Sequence, residues 1–345
     1  MSRYLLSLVF LAGVLSGPGA GTEDDQTVSP INSVVSKLER GDYEGVNGMM
    51  ITHGGRTWVA YSPKGNPVRK QDIRSATKSI TAILVGELLE DKRLKSVKVR
   101  VADILPEEFA HMEKDDPRRS IQVRDLLTMQ SGLACDDWVP SSVGQEDKMY
   151  KTNDWAAFIL SQPVAYERGQ HFSYCTGGVV LLGRLLEKLS GQPVPEFARE
   201  RLFAPLGING EKWDKTPKGF TDTGGHLRIT LADLHKIGLL VQQGGVWEGV
   251  QLIEPDWLSE MTSKHASVPG RRETYGYLWW RMMFPAGEGK EVLALYAHGN
   301  GGNFTFFFPD LDLVATFTAT NYGSRKQFIP MRILMQEILP ALTAR

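Results

Sequence analysis

One short stretch of the sequence sets a hydroxyl and an amine at a spacing that can do acyl chemistry. Ser75-Ala76-Thr77-Lys78 is the only Ser-x-x-Lys in the 345 residues, and it opens the apolar run Ile80 to Leu89, which reads as a helix. With Ser75 at a helix N-terminus, Lys78 lies one turn on, on the same face, so its amine can reach the hydroxyl. A lysine partly desolvated there loses some preference for its charged form and can act as a base, while the helix dipole favours the developing alkoxide. Taken alone, the tetrapeptide describes an ordinary helix start with a solvated lysine equally well.

Two further elements could complete such a site. Phe172 to Gly178 carries Tyr174 into the apolar helical run Val179 to Leu189. A tyrosine at that junction can present its phenol to a cleft, and beside an ammonium its pKa can fall enough for proton shuttling, although a packed tyrosine is the commoner outcome. Ala297-His298-Gly299-Asn300-Gly301-Gly302 lies between two strand-like runs, where glycines let a ligand approach the backbone and an exposed N–H could form one arm of an oxyanion hole. A plain glycine-rich hairpin reads the same way. There is no G-x-S-x-G, H-E-x-x-H or Walker loop, and the histidines at 53, 111, 171, 226, 235, 265 and 298 include no pair three or four apart. Neither a metal nor a cofactor is expected.

The elements that must position these residues fall into two kinds. Gly48 to Thr52 and Thr57 to Ser62 read as a hairpin, and Tyr275 to Met282, Val292 to Tyr296, Phe304 to Phe308 and Leu313 to Thr320 as strands joined by short turns. Short helices are expected at Ser33 to Leu38 and Ile329 to Leu342. Between about Val123 and Met261 a 3.6-residue apolar period recurs in Val123–Met129, Trp155–Leu160, Val179–Leu189, Phe197–Leu202, Leu231–Val241 and Trp257–Met261. Thr230 with Asp233 approximates a capping box, and Gly191 and Gly244 stand where C-terminal caps would. The expected architecture is α+β: one antiparallel sheet built from both chain ends (residues 28–110 plus 268–345), flanked by terminal helices, with a mostly helical region (111–267) inserted.

Lys plus Arg total 39 against 40 Asp plus Glu, so nothing in the charge balance suggests a nucleic acid or an anionic membrane as partner. Met1 to Ala20 has the basic start, apolar run and small residues of a signal peptide, with too short an apolar run to span a bilayer. The expectation is export to a periplasmic or extracellular space, with no membrane attachment after cleavage. Cys135 and Cys175, the two cysteines, could then pair across a loop of about 40 residues, or remain two buried thiols.

In this order and context, Ser75/Lys78, Tyr174 and the 297–302 edge resemble the serine β-lactamase and penicillin-binding protein superfamily. The likeness is nearest to its class C β-lactamase-like esterases and 6-aminohexanoate-dimer hydrolases. It extends to Val123–Leu133, Gly183–Gly191, Gly224–Asp233 and Tyr275–Trp280, over roughly residues 30 to 340. The resemblance implies a β-lactamase/transpeptidase-like fold, Ser75 as acylated nucleophile, Lys78 as its base and Tyr174 as proton relay. It also implies an oxyanion hole from the backbone N–H of Ser75 and of the Gly299–Gly301 edge. Thr176 stands where many relatives carry Asn or Ser, and the Lys-Thr-Gly triplet is replaced by Ala297-His298-Gly299 or His298-Gly299-Asn300. Without that lysine, an ester or amide substrate, small or peptide-like, is expected rather than a β-lactam carboxylate. Trp138, Tyr277, Trp279 and Trp280 fall in segments that flank the cleft in relatives and are expected, with Thr176, around an apolar pocket. The rival expectations are a cell-wall DD-peptidase, a weak β-lactamase, or a non-catalytic penicillin-binding-like recognition protein.

Overall fold

The alternating apolar runs at the two ends of the chain pair into one sheet. In the computed structural model, which describes residues 23–62, 66–287 and 289–343, β1 (Val46–His53) and β2 (Arg56–Tyr61) form a hairpin. Later strands are β8 (Ala266–Ser267), β9 (Thr274–Tyr275), β10 (Trp280–Pro285), β11 (Glu291–Gly299), β12 (Asn303–Phe308) and β13 (Leu313–Ala319). The order is β2-β1-β13-β12-β11-β10-β9-β8, antiparallel throughout, so the N-terminal hairpin docks beside the last strand. Three shorter strands, β3 (Gln71–Asp72), β4 (Lys212–Trp213) and β5 (Leu227–Ile229), make a separate sheet in the order β3-β5-β4; β6 (Val246–Trp247) and β7 (Val250–Gln251) form a small hairpin. The expected signal peptide, residues 1–20, lies outside the described residues.

Every residue of β12 is buried, as a central strand covered on both faces requires. Phe304 pairs opposite Phe317 and Phe306 opposite Ala315, which puts the phenyl rings on one face. Thr305 and Thr316 point to the other, where the Leu231–Gln242 helix lies. His235 of that helix hydrogen-bonds Thr52 and Thr316 hydroxyls, both at 2.8 Å, and its burial pushes the imidazole down to about 4. A Cβ on Gly238 would sit 2.4 Å from Thr305 Oγ1, so glycine lets this helix settle onto the sheet. Its N-terminus is closed by the Thr230/Asp233 capping box. The expected Ser33–Leu38 helix extends over Glu23–Arg40 and is tied to the C-terminal helical stretch by Lys37 Nζ to Glu337 at 2.6 Å.

Two helices bring the candidate catalytic groups together. The Thr77–Glu90 helix is apolar nearly all round and buried from Thr77 to Leu88, the pattern of a helix enclosed by the fold. It packs against the Thr176–Ser190 helix, which ends at Gly191 in the left-handed conformation. Cys135 and Cys175 are disulfide-bonded, with Cα atoms 5.4 Å apart, at the N-terminus of that second helix.

The expected strand Tyr275–Met282 is broken. Gly276 to Trp279 leave the sheet because their backbone finds other partners: Tyr277 N–H donates to Met261 O at 2.9 Å and Leu278 N–H to Leu127 O at 3.0 Å. A Cβ on Gly276 would lie 2.4 Å from Met261 O, so this detour depends on glycine.

Candidate active site

The turn that carries Ser75 is built by β3 and β5. Ile73 N–H donates to Leu227 O at 3.0 Å, Asp72 Oδ1 accepts from Arg74 N–H at 2.9 Å, and Arg74 adopts a left-handed φ of 52° before the chain enters a short 3₁₀ turn. Lys78, one turn further and 1% exposed, places Nζ 3.0 Å from Ser75 Oγ and 2.6 Å from the carbonyl of Gly224. Just before the other helix, the Tyr174 side chain faces Ser75, and Lys78 Nζ stands 5.2 Å from the Tyr174 ring centre. Ser75, Lys78 and Tyr174 therefore gather into one cluster where the two helices start.

Their electrostatics depart from the simple expectation. Burial pulls the Lys78 ammonium down, but the negative charge Tyr174 carries when ionised, with the carboxylates of Glu146, Asp137 and Asp222, more than offsets it, so the amine is held above its ordinary value. Burial pushes the Tyr174 phenol up, and neither the Lys78 ammonium nor the Ser75 hydrogen bond cancels this. The resting site thus holds an ammonium and a neutral phenol, where a loosened amine and an acidified phenol were expected. The acidic neighbours that decide this come from distant segments.

Asp137 is one of them. Its Oδ1 accepts from Glu146 N–H at 2.9 Å and its Oδ2 from Thr176 N–H at 2.6 Å, so one carboxyl fastens the starts of two helices. Burial, then Glu146, push it up to about 7, with Lys78 opposing. Asp137 N–H also donates to Tyr174 O at 2.8 Å, and Ser173 Oγ to Cys135 O at 2.6 Å. The disulfide, these bonds and Asp137 lock the segment bearing Tyr174 to its neighbour.

A cleft of about 350 Å³ opens above Ser75, walled by Trp138, Tyr174, Trp280, Tyr296 and His298. Trp138 lies 5.1 Å from Tyr174 and 6.0 Å from Trp280, all three rings near parallel. Arg271 lies 4.2 Å over the Trp138 ring and 3.8 Å from Glu273 at the rim. Burial pushes His298 down to about 3, against a Gln327 hydrogen bond; the ring stacks 4.2 Å from Phe304, and Nε2 has no partner among the described residues. A second depression, near Glu87, Arg201 and Trp257, shares no residue with this cleft.

The end of β11 meets the Ser75 turn at Gly299. A Cβ there would stand 1.9 Å from Ile73 O and 3.1 Å from Ala76 N, so only a glycine allows this approach. Asn300 lines the cleft, and Gly301 continues the edge at φ 95°.

Trp138, Trp280, His298 and Asn300 thus border the cleft with Ser75 and Tyr174, but three expected pocket residues do not. Tyr277, carried off by the break after Tyr275, stacks 4.1 Å from His265 and donates to Glu260 Oε1 at 2.8 Å. Trp279 is fully buried, edge-on to Phe307. Thr176 is buried in the helix start, its methyl facing Gly224, and its hydroxyl has no partner among the described residues. Asp137, Glu146, Tyr296, Arg271 and Gln327 were not singled out from the sequence. Of these only Tyr296 carried a local signal, two positions before His298 on a strand and hence on the same face.

Penicillin-binding protein 4 of Amycolatopsis lactamdurans is 29% identical over 180 residues, which is 50% of this chain and 42% of that protein. The chain spans about two fifths of the length of the curated relatives it matches. Among solved structures, EstCE1, a hydrolase with promiscuous acyltransferase activity, superposes with a TM-score of 0.71 at 15% identity, over 89% of this chain and 98% of that one. A D-stereospecific amidohydrolase from Streptomyces does so with a TM-score of 0.66 at 18% identity, over 90% and 98%. The profile of the Beta-lactamase family matches residues 32–339, and the chain belongs to that family.

Proposed function

We propose that this chain is an exported serine hydrolase that cleaves an ester or amide bond through an acyl-enzyme on Ser75. The observation that carries the proposal is the Ser75 hydroxyl, 3.0 Å from the Lys78 ammonium, faced by the Tyr174 side chain, and open to the cleft. Because Lys78 is held charged and Tyr174 neutral, the phenol is the better proton carrier. As Ser75 Oγ bonds to the substrate carbonyl carbon, its proton passes to Tyr174 Oη while the phenol's own proton moves on, in the same step, to the leaving oxygen or nitrogen. That group then departs protonated as the old C–O or C–N bond breaks. Lys78 stays an ammonium and stabilises the negative charge that passes between the two oxygens. Deacylation runs the same path with water: its proton enters the phenol, and the phenol's proton returns to Ser75 Oγ. The carbonyl oxyanion is met by the Ser75 N–H at the helix N-terminus and by the Gly299–Gly301 edge.

The walls favour uncharged substrates. Trp138, Trp280 and Tyr296 offer apolar faces, while the neutral His298 supplies no permanent cation for a substrate carboxylate. The disulfide supports an oxidising compartment, in keeping with export. The test is a panel of ester, amide, D-peptide and β-lactam substrates run against wild type and Ser75→Ala, with fluorophosphonate labelling of the wild type. Turnover confined to esters or amides, lost in Ser75→Ala, is the expected result. Preferred D-peptide or β-lactam turnover overturns the substrate assignment, and no labelled serine with no turnover leaves a recognition protein.

A further inference from the structure

We infer that Asp222 and His226 are positioning residues for this hydrolysis, a single carboxylate setting both the carbonyl that holds Lys78 and the turn that presents Ser75. The inference rests on the Ser75 and Lys78 reading above. Asp222 is 1% exposed and divides its two oxygens. Oδ1 accepts from Gly224 N–H at 3.1 Å, and it is the Gly224 carbonyl that receives Lys78 Nζ at 2.6 Å. Oδ2 lies 2.7 Å from His226 Nδ1, and since a carboxylate only accepts, that nitrogen carries the proton.

The other imidazole nitrogen, Nε2, then faces Arg74 Nη1 at 3.0 Å. A guanidinium has donors only, so this contact is a hydrogen bond only while Nε2 keeps its lone pair. Arg74 directly precedes Ser75, and both Arg74 (φ 52°) and His226 (φ 57°) occupy the left-handed region that side-chain-bearing residues rarely adopt. Such strain persists only where the surroundings hold it. Asp72, through the Arg74 N–H at 2.9 Å, and the Tyr322 ring, 4.9 Å from the guanidinium, hold Arg74 on its other sides.

Protonating His226 would place two donors and two positive charges in contact. The groups that face the ring are Asp222 on its own loop, Asp72 and Arg74 on the nucleophile turn, and Tyr150, whose ring lies 5.8 Å away. The Asp222 hydrogen bond raises the imidazole above its ordinary value against the cost of burial, so this protonation sets in already around neutral pH. The Arg74 contact is therefore made with His226 neutral and lost as pH falls, while the Asp222 hydrogen bond persists.

The experiment measures the fluorophosphonate labelling rate at Ser75, with kcat and KM on an ester, in wild type, His226→Gln and His226→Leu. Glutamine can still accept from Arg74 and does not titrate; leucine cannot accept. His226→Leu should slow labelling and lower kcat by at least about tenfold with KM changed less than about threefold. His226→Gln should stay within about threefold of wild type near pH 8. The wild-type-to-Gln rate ratio should then fall about tenfold on going to about pH 6; titration of Asp137 is common to both proteins and cancels. A ratio flat across that range overturns the inference, even if His226→Leu fails to fold. Absence of any Ser75 label in the wild type instead overturns the Ser75 reading on which it stands.

Discussion

Gly299→Ala isolates the contact between the β11 edge and the nucleophile turn. The residue is not in the left-handed region, so alanine adopts its backbone without strain and the effect is purely positional. The new methyl would start 1.9 Å from Ile73 O, and since real Cβ atoms keep at least 3.0 Å, the edge must retreat by about 1.1 Å. Misplacing an oxyanion donor by about 1 Å costs on the order of 10²-fold in rate, about 2.7 kcal/mol of transition-state stabilisation. Overpacking adds roughly 1–3 kcal/mol of lost stability. The assay is kcat/KM for an aryl ester alongside the thermal midpoint. Gly178→Ala is the control, because a Cβ there meets Leu126 at an ordinary 3.4 Å in the first turn of its helix. It should keep full activity and gain up to about 1 kcal/mol. A Gly299→Ala protein with wild-type kcat/KM, whatever its melting point, would refute the reasoning.

Ser75→Ala should abolish turnover, and Lys78→Ala or Tyr174→Phe should lower kcat by roughly 10²–10⁴-fold with the circular dichroism unchanged; a folded Ser75→Ala enzyme with near-normal rates ends the mechanism. Trp138→Ala and Trp280→Ala should reduce kcat/KM more for long-chain than for acetyl esters, as the cleft walls require, and equal losses would remove these residues from the acyl pocket. Reducing the Cys135–Cys175 bond, which closes a 40-residue separation, should lower stability by about 4 kcal/mol on the chain-entropy model and slow turnover through Tyr174; an unchanged denaturant midpoint counts against it. His235 is held near 4 in the fold against about 6.5 unfolded, so only the unfolded state takes up its proton between those values. Its stabilising share is complete above about pH 6.5 and is lost as pH falls towards about 4, a change of about 3 kcal/mol. Urea titrations of wild type and His235→Gln at both ends of that range should differ by this amount, and parallel curves would exclude it.

Legibility tracked distance along the chain. Ser75 and Lys78 share one helical turn, so their contact follows from spacing alone, and the strands β11, β12 and β13 follow from short apolar, aromatic and β-branched runs bounded by turns. Tyr174 has no such local tie to Ser75, and it was the order of several motifs that joined them. The break at Gly276–Trp279 was hidden because Tyr-Gly-Tyr-Leu-Trp-Trp alternates like a strand, whereas its hydrogen bonds go to Met261 and Leu127 in other elements. The charge state of Lys78 was hidden for the same reason: Asp137, Glu146 and Asp222 reach it from three separate segments. Arg74 carries no mark of its left-handed backbone, which Asp72 and the β3–β5 pairing impose.

The place of β13 between β1 and β12 decides when the sheet can close. Met49 lies opposite Phe317, so the first hairpin has no neighbouring strand to dock on until β13 is present. Closing so long a loop is entropically costly and slows folding, and the early apolar strand waits exposed meanwhile. Ser75 and Lys78 can share a helical turn early, but the Gly299 edge and Tyr296 belong to the late-assembled sheet. The Ser75–Lys78 pair can thus form before the Gly299 edge that meets it, and a polypeptide truncated before β13 loses the middle of its sheet.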